Sequence, residues 1–155
     1  MTTGSPIQSF FESRVPKDWF QGSPTVDFDD DEILVIGILA ADRSIEVFRE
    51  ESRPKRMAIA SEAEARFHRK VSWGVENDGR RLLFTTQSLP VTTRLRLPER
   101  TVLDTLVDAG VARSRSDALG WCVKLVARHE AEWLTDLRGA LVDVERVREE
   151  GPTLI

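Results

Sequence analysis

A single cysteine, Cys122, excludes any internal disulfide and fits a reducing compartment, so a cytoplasmic protein is expected. The longest apolar run, Ile33 to Ala41, falls far short of the roughly 20 residues that span a bilayer, so no membrane segment is expected. The N-terminus has no cation before Arg14 and no apolar core of the kind a signal peptide needs. Histidine is scarce as well. His68 and His129 lie far apart without neighbouring ligands, which argues for satisfied or exposed side chains and against a metal site. No nucleophile–base pairing, glycine-rich phosphate loop or paired-carboxylate motif stands out, so neither catalytic residues nor a cofactor is expected.

What is present is a soluble composition, 31% charged and 41% hydrophobic over 155 residues, enough for one ordinary core or two small ones. The net charge of −4 argues by itself against a nucleic-acid binder, because cations on phosphates dominate affinity for DNA. Its distribution softens the objection. Residues 91 to 116 carry five cations against three anions, while the segments on either side are net acidic. Local field rather than total charge decides steering.

Residues 1–26 are rich in Ser, Pro, Gly and Thr without a sustained period, which reads as a flexible arm. Phe10, Phe11, Trp19 and Phe20 favour an arm that docks on the domain or on a partner. Residues 27–89 read as a β-α-β-β module. Asp29-Asp30-Asp31-Glu32 is a solvated lead-in rather than a cation site, and Ile33 to Leu39 a strand buried on both faces. A helix follows from Ser44, a capping residue, to about Arg69, broken or kinked near Ser52 by Pro54. Asn77-Asp78-Gly79 between two β-rich runs marks a hairpin. Arg53, Lys55, Arg56, Arg66, Arg69 and Lys70 offer phosphate contacts, but the interleaved Glu50, Glu51, Glu62 and Glu64 favour a salt-laced solvated helix.

After Ser88-Leu89-Pro90, alternation from Val91 to Leu97 puts Val91, Thr93, Leu95 and Leu97 on one face and Thr92, Arg94 and Arg96 on the other. Pro98 ends the strand and opens a helix with the apolar stripe Val102, Leu103, Leu106 and Val107, stopped by Gly110. Ser114, with Asp117 three residues on, caps a second helix whose inner stripe is Ala118, Leu119, Cys122, Leu125, Val126 and His129. Arg113 and Arg115 flank that N-terminus, where free amides already attract anions. Gly120 suits a close helix crossing. A terminal helix over 131–150 carries Trp133, Leu137, Ala140, Leu141, Val144 and Val147, read as dimer core or as packing against the first module.

One seven-residue strand and two short helices cannot close a core alone, so a twofold dimer that pairs two copies of Val91–Leu97 is the economical solution. The alternative is one more strand of the preceding sheet, with Arg94 and Arg96 as a solvated face. The order Thr-Arg-Leu-Arg-Leu-Pro-Glu, a helix ending at Gly110, and Ser-Arg-Ser-Asp opening the next helix resembles the ribbon-helix-helix family of MetJ- and Arc-type repressors. The likeness covers residues ~91–129, a quarter of the chain. It implies that the ribbon enters the major groove, with Thr92, Arg94 and Arg96 as base readers and Arg113, Ser114, Arg115 and Ser116 on phosphate. That family's modules usually lie at a chain end, whereas here 90 residues precede. The fold class expected is therefore α+β, with a β-α-β-β module, a ribbon-helix-helix module over 90–130 and a C-terminal helix, homodimeric. The function expected is a sequence-specific transcriptional regulator, a repressor by analogy, that binds double-stranded DNA as a dimer or a higher oligomer. The alternative is a dimeric assembly module without DNA binding that holds a protein partner through residues 1–89. An antitoxin ranks lower, because the added bulk lies in front of the module.

Overall fold

A computed structural model describes residues 4–152 and shows a mixed α+β protein with a four-stranded sheet and five helices. The elements are α1 (Pro6–Arg14), β1 (Thr25–Phe28), β2 (Glu32–Ile38), α2 (Ile45–Phe67), β3 (Lys70–Asn77), β4 (Arg80–Leu83), α3 (Leu97–Asp108), α4 (Arg115–His129) and α5 (Ala131–Glu150). The chain divides into two compact units after Pro90. No helix among the described residues is long and apolar enough to cross a membrane.

In the first unit the sheet runs β1-β2-β3-β4, with β2 and β3 parallel and both outer pairs antiparallel. Parallel strands need a long crossover, and α2 supplies it. Ser44 caps α2 through its hydroxyl, which accepts the Val47 N–H at 3.4 Å, and His68 ends the helix in the left-handed region. Asp78 and Gly79, both at positive φ, form the two-residue turn between β3 and β4, the geometry whose twist matches the flanking strands. One side of the sheet, with Ile33, Val35, Trp73 and Val75, joins α1 and α2 in the main core.

Three expectations about this unit are corrected. Residues 4–26 are not a flexible arm but dock on the domain, as their aromatics favoured, while residues 1–3 lie outside those described: α1 is capped by Ser5 and buries Ile7, Phe10 and Phe11. The four aromatics form part of the core. Phe11 meets Phe10 and Trp73 edge-on at 5.1 and 5.9 Å, and Trp19 meets Phe48 at 5.5 Å. Arg14 forks onto Glu62 at 2.8–3.2 Å, tying α1 to α2. Phe20 lies so close over Gly37 that a Cβ there would meet its ring at 2.2 Å, so only glycine fits.

The acidic run is also more than a lead-in. Thr25–Phe28 is a strand paired with β2, and Asp29 turns the corner by accepting the N–H groups of Asp31 and Glu32 at 2.9 and 2.8 Å. These two hydrogen bonds hold the Asp29 carboxyl below the usual carboxylate range. Finally, Pro54 does not break α2, which is continuous for 23 residues. The turns on either side of Pro54 are tied to each other by a side chain. Arg56 donates from Nη2 to the Arg49 carbonyl at 2.8 Å and from Nε to Ser52 Oγ at 2.9 Å.

The second unit is three helices with a small core: Leu103, Ala112 and Ala118 are buried, with Leu95, Leu106, Val107, Leu119 and Cys122 packed partly against them. Gly110 forms the stop expected of it, at φ 76°, with its N–H on the Val107 carbonyl and that of Val111 on Leu106. That pair of bonds is a Schellman motif. Residues 91–96 carry no regular structure, so the expected strand Val91–Leu97 is not formed within one chain. The physical reason is the absence of a ladder partner, without which a lone strand leaves its backbone groups unsatisfied. Leu97 belongs to α3 and Pro98 is its second residue.

The inner stripe of α4 is narrower than expected. Ala118 is buried and Leu119, Cys122 and Leu125 are half-buried, but Val126 and His129 are exposed. Nothing lies within 4 Å of a Cβ built on Gly120, so no helix of the described residues crosses there. α5 begins and ends as expected but buries no residue.

Candidate nucleic-acid interface

The stretch that leads into α3 presents Thr92, Arg94 and Arg96 to solvent, and neither arginine is ion-paired among the described residues. Arg96 is the N-cap of α3, extended at ψ 174°, without a side-chain capping bond. Its guanidinium is therefore uncommitted. The stretch is anchored by Arg100, whose Nη1 donates to the Leu95 carbonyl at 2.6 Å. Sequence reading missed this role, since Arg100 carries no signal beyond its place on the first turn of α3.

The start of α4 is a closed cap. Ser114 Oγ accepts the Asp117 N–H at 3.1 Å, and the Asp117 carboxylate reaches back to the Arg113 N–H at 2.9 Å, one residue before the cap. The acid–serine reciprocity was legible, although the amide it returns to is Arg113's rather than the cap's own. Ser116 is exposed within the first turn. Arg113 is exposed and without an ion pair among the described residues.

Arg115, expected on phosphate, has a partner within the chain. It forks onto Asp104 of α3, with Nε on Oδ1 at 2.8 Å and Nη2 on Oδ2 at 2.9 Å. The hydrogen bond, then the charge of Arg115, holds the Asp104 carboxyl below its ordinary 3.8, and the same contact raises the guanidinium. Both groups are about half exposed, so the pair adds little to stability. It does fix which way Arg115 points. A shallow groove of about 330 Å³ brings Thr92, Arg115 and Ser116 together with Leu95 and Leu103, whereas Arg94, Arg96 and Arg113 lie outside it.

Among the described residues no group of three His, Cys, Asp or Glu side chains is gathered in a way that could hold a metal ion. His68 serves as the C-cap of α2, and His129 ends α4.

Residues 5–83 match the family model for the Rv1265-like protein N-terminal domain, and residues 96–148 match that for the Mb1296 C-terminal domain. The chain belongs to the Rv1265-like family. It is 55% identical over 162 residues to uncharacterized protein Mb1296 of Mycobacterium bovis and to uncharacterized protein Rv1265 of Mycobacterium tuberculosis, covering 97% of this chain and 72% of theirs. No solved structure matches. The two family matches fall on the two compact units, and the C-terminal one opens at Arg96, so Thr92 and Arg94 precede it.

Proposed function

We propose that this Rv1265-like protein is a dimeric, sequence-specific DNA-binding regulator whose second unit works as a ribbon-helix-helix module. The carrying observation is the mismatch between what that unit buries and what it exposes. Only Leu103, Ala112 and Ala118 are buried, while Val91, Leu97, Trp133, Leu137, Leu141 and Val147 are among the large apolar side chains between 43 and 86% exposed. Apolar surface on that scale marks an interaction site. A second copy is the occupant that also supplies the missing ladder partner for residues 91–96, because a twofold axis pairs a strand antiparallel with itself. Two copies of Thr92, Arg94 and Arg96 then project from one ribbon, which is the shape and charge a major groove admits.

The test combines mass and salt. In sedimentation equilibrium the protein should run as a dimer, and duplex affinity should fall steeply between about 50 and 200 mM salt. A monomer would remove the ribbon, and no duplex affinity at low salt would remove DNA binding while leaving a dimer in place. The net charge of −4 favours the second of these readings, a dimeric assembly module that holds a protein partner.

On the DNA-binding reading, Asp104 restrains the phosphate clamp. Asp104→Asn should free Arg115, raise affinity for any duplex and steepen the salt dependence by about 0.9 in log–log slope for each further phosphate that is neutralised. Because the folded Asp104 value is depressed, the pair stands at every pH above 3.8 and is lost only as pH falls further, so at neutral pH the substitution is the way to release it. An unchanged slope in filter binding would show that Arg115 takes no part.

A further inference from the structure

In the first unit, Arg49, Arg53 and Arg56 follow one another at i, i+4 and i+7 along α2, a spacing that lines three guanidiniums on one face. Like charges so placed repel. Arg56 is only 6% exposed, yet among the described residues none of the three pairs with a carboxylate within 4 Å. Burial first, then Arg49 and Arg53, holds the Arg56 guanidinium below its ordinary value. Phe84 orients two of them: Arg56 lies 4.8 Å and Arg49 5.4 Å from its ring centre. A buried cation without a counter-ion is costly.

These side chains surround a concavity of about 570 Å³ in which Thr85 stands beside Phe84. Thr85 Oγ1 is fixed by the Trp73 N–H at 3.1 Å, and its own proton is left to donate. Two carboxylates also reach the groove. Glu46 is turned to the Ser44 hydroxyl at 3.1 Å, and the charge of Glu50 partly offsets that of Arg49 and Arg53 at Arg56, but three guanidiniums against two carboxylates leave the groove net positive. The volume falls in the range of small-molecule sites. A concavity of that size admits a terminal phosphate on a small ligand more readily than a duplex phosphodiester, and Arg56, whose Nε and Nη2 hold Ser52 and the Arg49 carbonyl, has Nη1 without a partner among the described residues.

We infer that the groove lined by Arg49, Arg53, Arg56 and Thr85 is a binding site for the phosphate group of a small phosphorylated molecule. Guanidinium forks match phosphate oxygens in pairs, which is how arginine holds this group. The inference concerns the first unit only, and it stands or falls independently of DNA binding by the second.

The experiment titrates the full chain with inorganic phosphate against sodium chloride at equal ionic strength, following the side-chain Nε–H resonances of Arg49 and Arg56 by NMR. Saturable shifts at both are expected with phosphate and not with chloride. Arg53 is exposed, so Arg53→Gln should melt as the parent does without phosphate, and should weaken phosphate binding by about tenfold, the loss of one charge-assisted hydrogen bond. Shifts that match chloride, or an affinity that Arg53→Gln leaves unchanged, would overturn the site. A 20-base-pair duplex added to the phosphate-saturated protein should leave these resonances in place. Displacement of phosphate by the duplex would overturn the assignment to a small ligand.

Discussion

Phe11→Ala should cost the first unit about 3–5 kcal/mol, a large share of the 5–15 kcal/mol that holds a typical domain together. Phe11 is fully buried, its ring edge-on to both Phe10 and Trp73, and it joins α1 to the face of the sheet that carries β3. Truncation there removes a whole ring from a site where α1, α2 and β3 converge, and a strand backbone cannot collapse to fill the gap. Urea unfolding followed by tryptophan fluorescence measures the loss, since Trp19 and Trp73 belong to the same cluster. Phe28→Ala is the comparison. Phe28 is 46% exposed on the edge strand, so it should cost much less. Equal small losses at both positions would mean that the N-terminal segment is an accessory to the fold rather than part of its core.

The second large effect is on recognition. Arg94→Ala and Arg96→Ala should each remove about 1–3 kcal/mol of discrimination between a cognate site and random duplex, or about five- to more than a hundredfold, while circular dichroism and the dimer mass stay unchanged. Both side chains are exposed and outside any ion pair among the described residues, so their removal leaves no buried group unsatisfied. Arg113→Ala should act differently, lowering affinity for cognate and random DNA together, because a phosphate contact carries no sequence information. Competition binding against random duplex separates the two behaviours. Equal loss on both duplexes from Arg94→Ala and Arg96→Ala would make them phosphate ligands and leave the reading of bases without its residues.

Features set by neighbours in sequence were legible. The turn at Asp78-Gly79, the stop at Gly110, the cap at Ser114 and the α5 boundary at Glu150 each depend on a few adjacent residues whose backbone preferences are strong. Features set by tertiary packing were not. β1 is a four-residue strand with no buried residue, and its pairing is made visible only by Asp29, whose role depends on the turn already existing. α1 hides because adjacent Phe10 and Phe11 both reach the core, which blurs a helical period. Pro54 reads as a break because its cost is local, whereas α2 is held by packing on both sides of it, through Phe48 and Ser52 before and Ile59 and Ala63 after. At the candidate interface, Ser114 and Asp117 were legible for the same local reason. The Arg115–Asp104 fork, which joins two helices, was not.

The two edges of the sheet are both four residues long and differ in charge: β1 carries Asp27 and runs into Asp29, Asp30 and Asp31, while β4 carries Arg80 and Arg81. Opposite charges on opposite edges invite one molecule's β4 to dock on the next one's β1, a head-to-tail contact that repeats without closing. An antiparallel edge turns only alternate residues outward, so a four-residue strand offers about two with which to grip a neighbour. Brevity at both margins thus guards this protein against growing into a fibre.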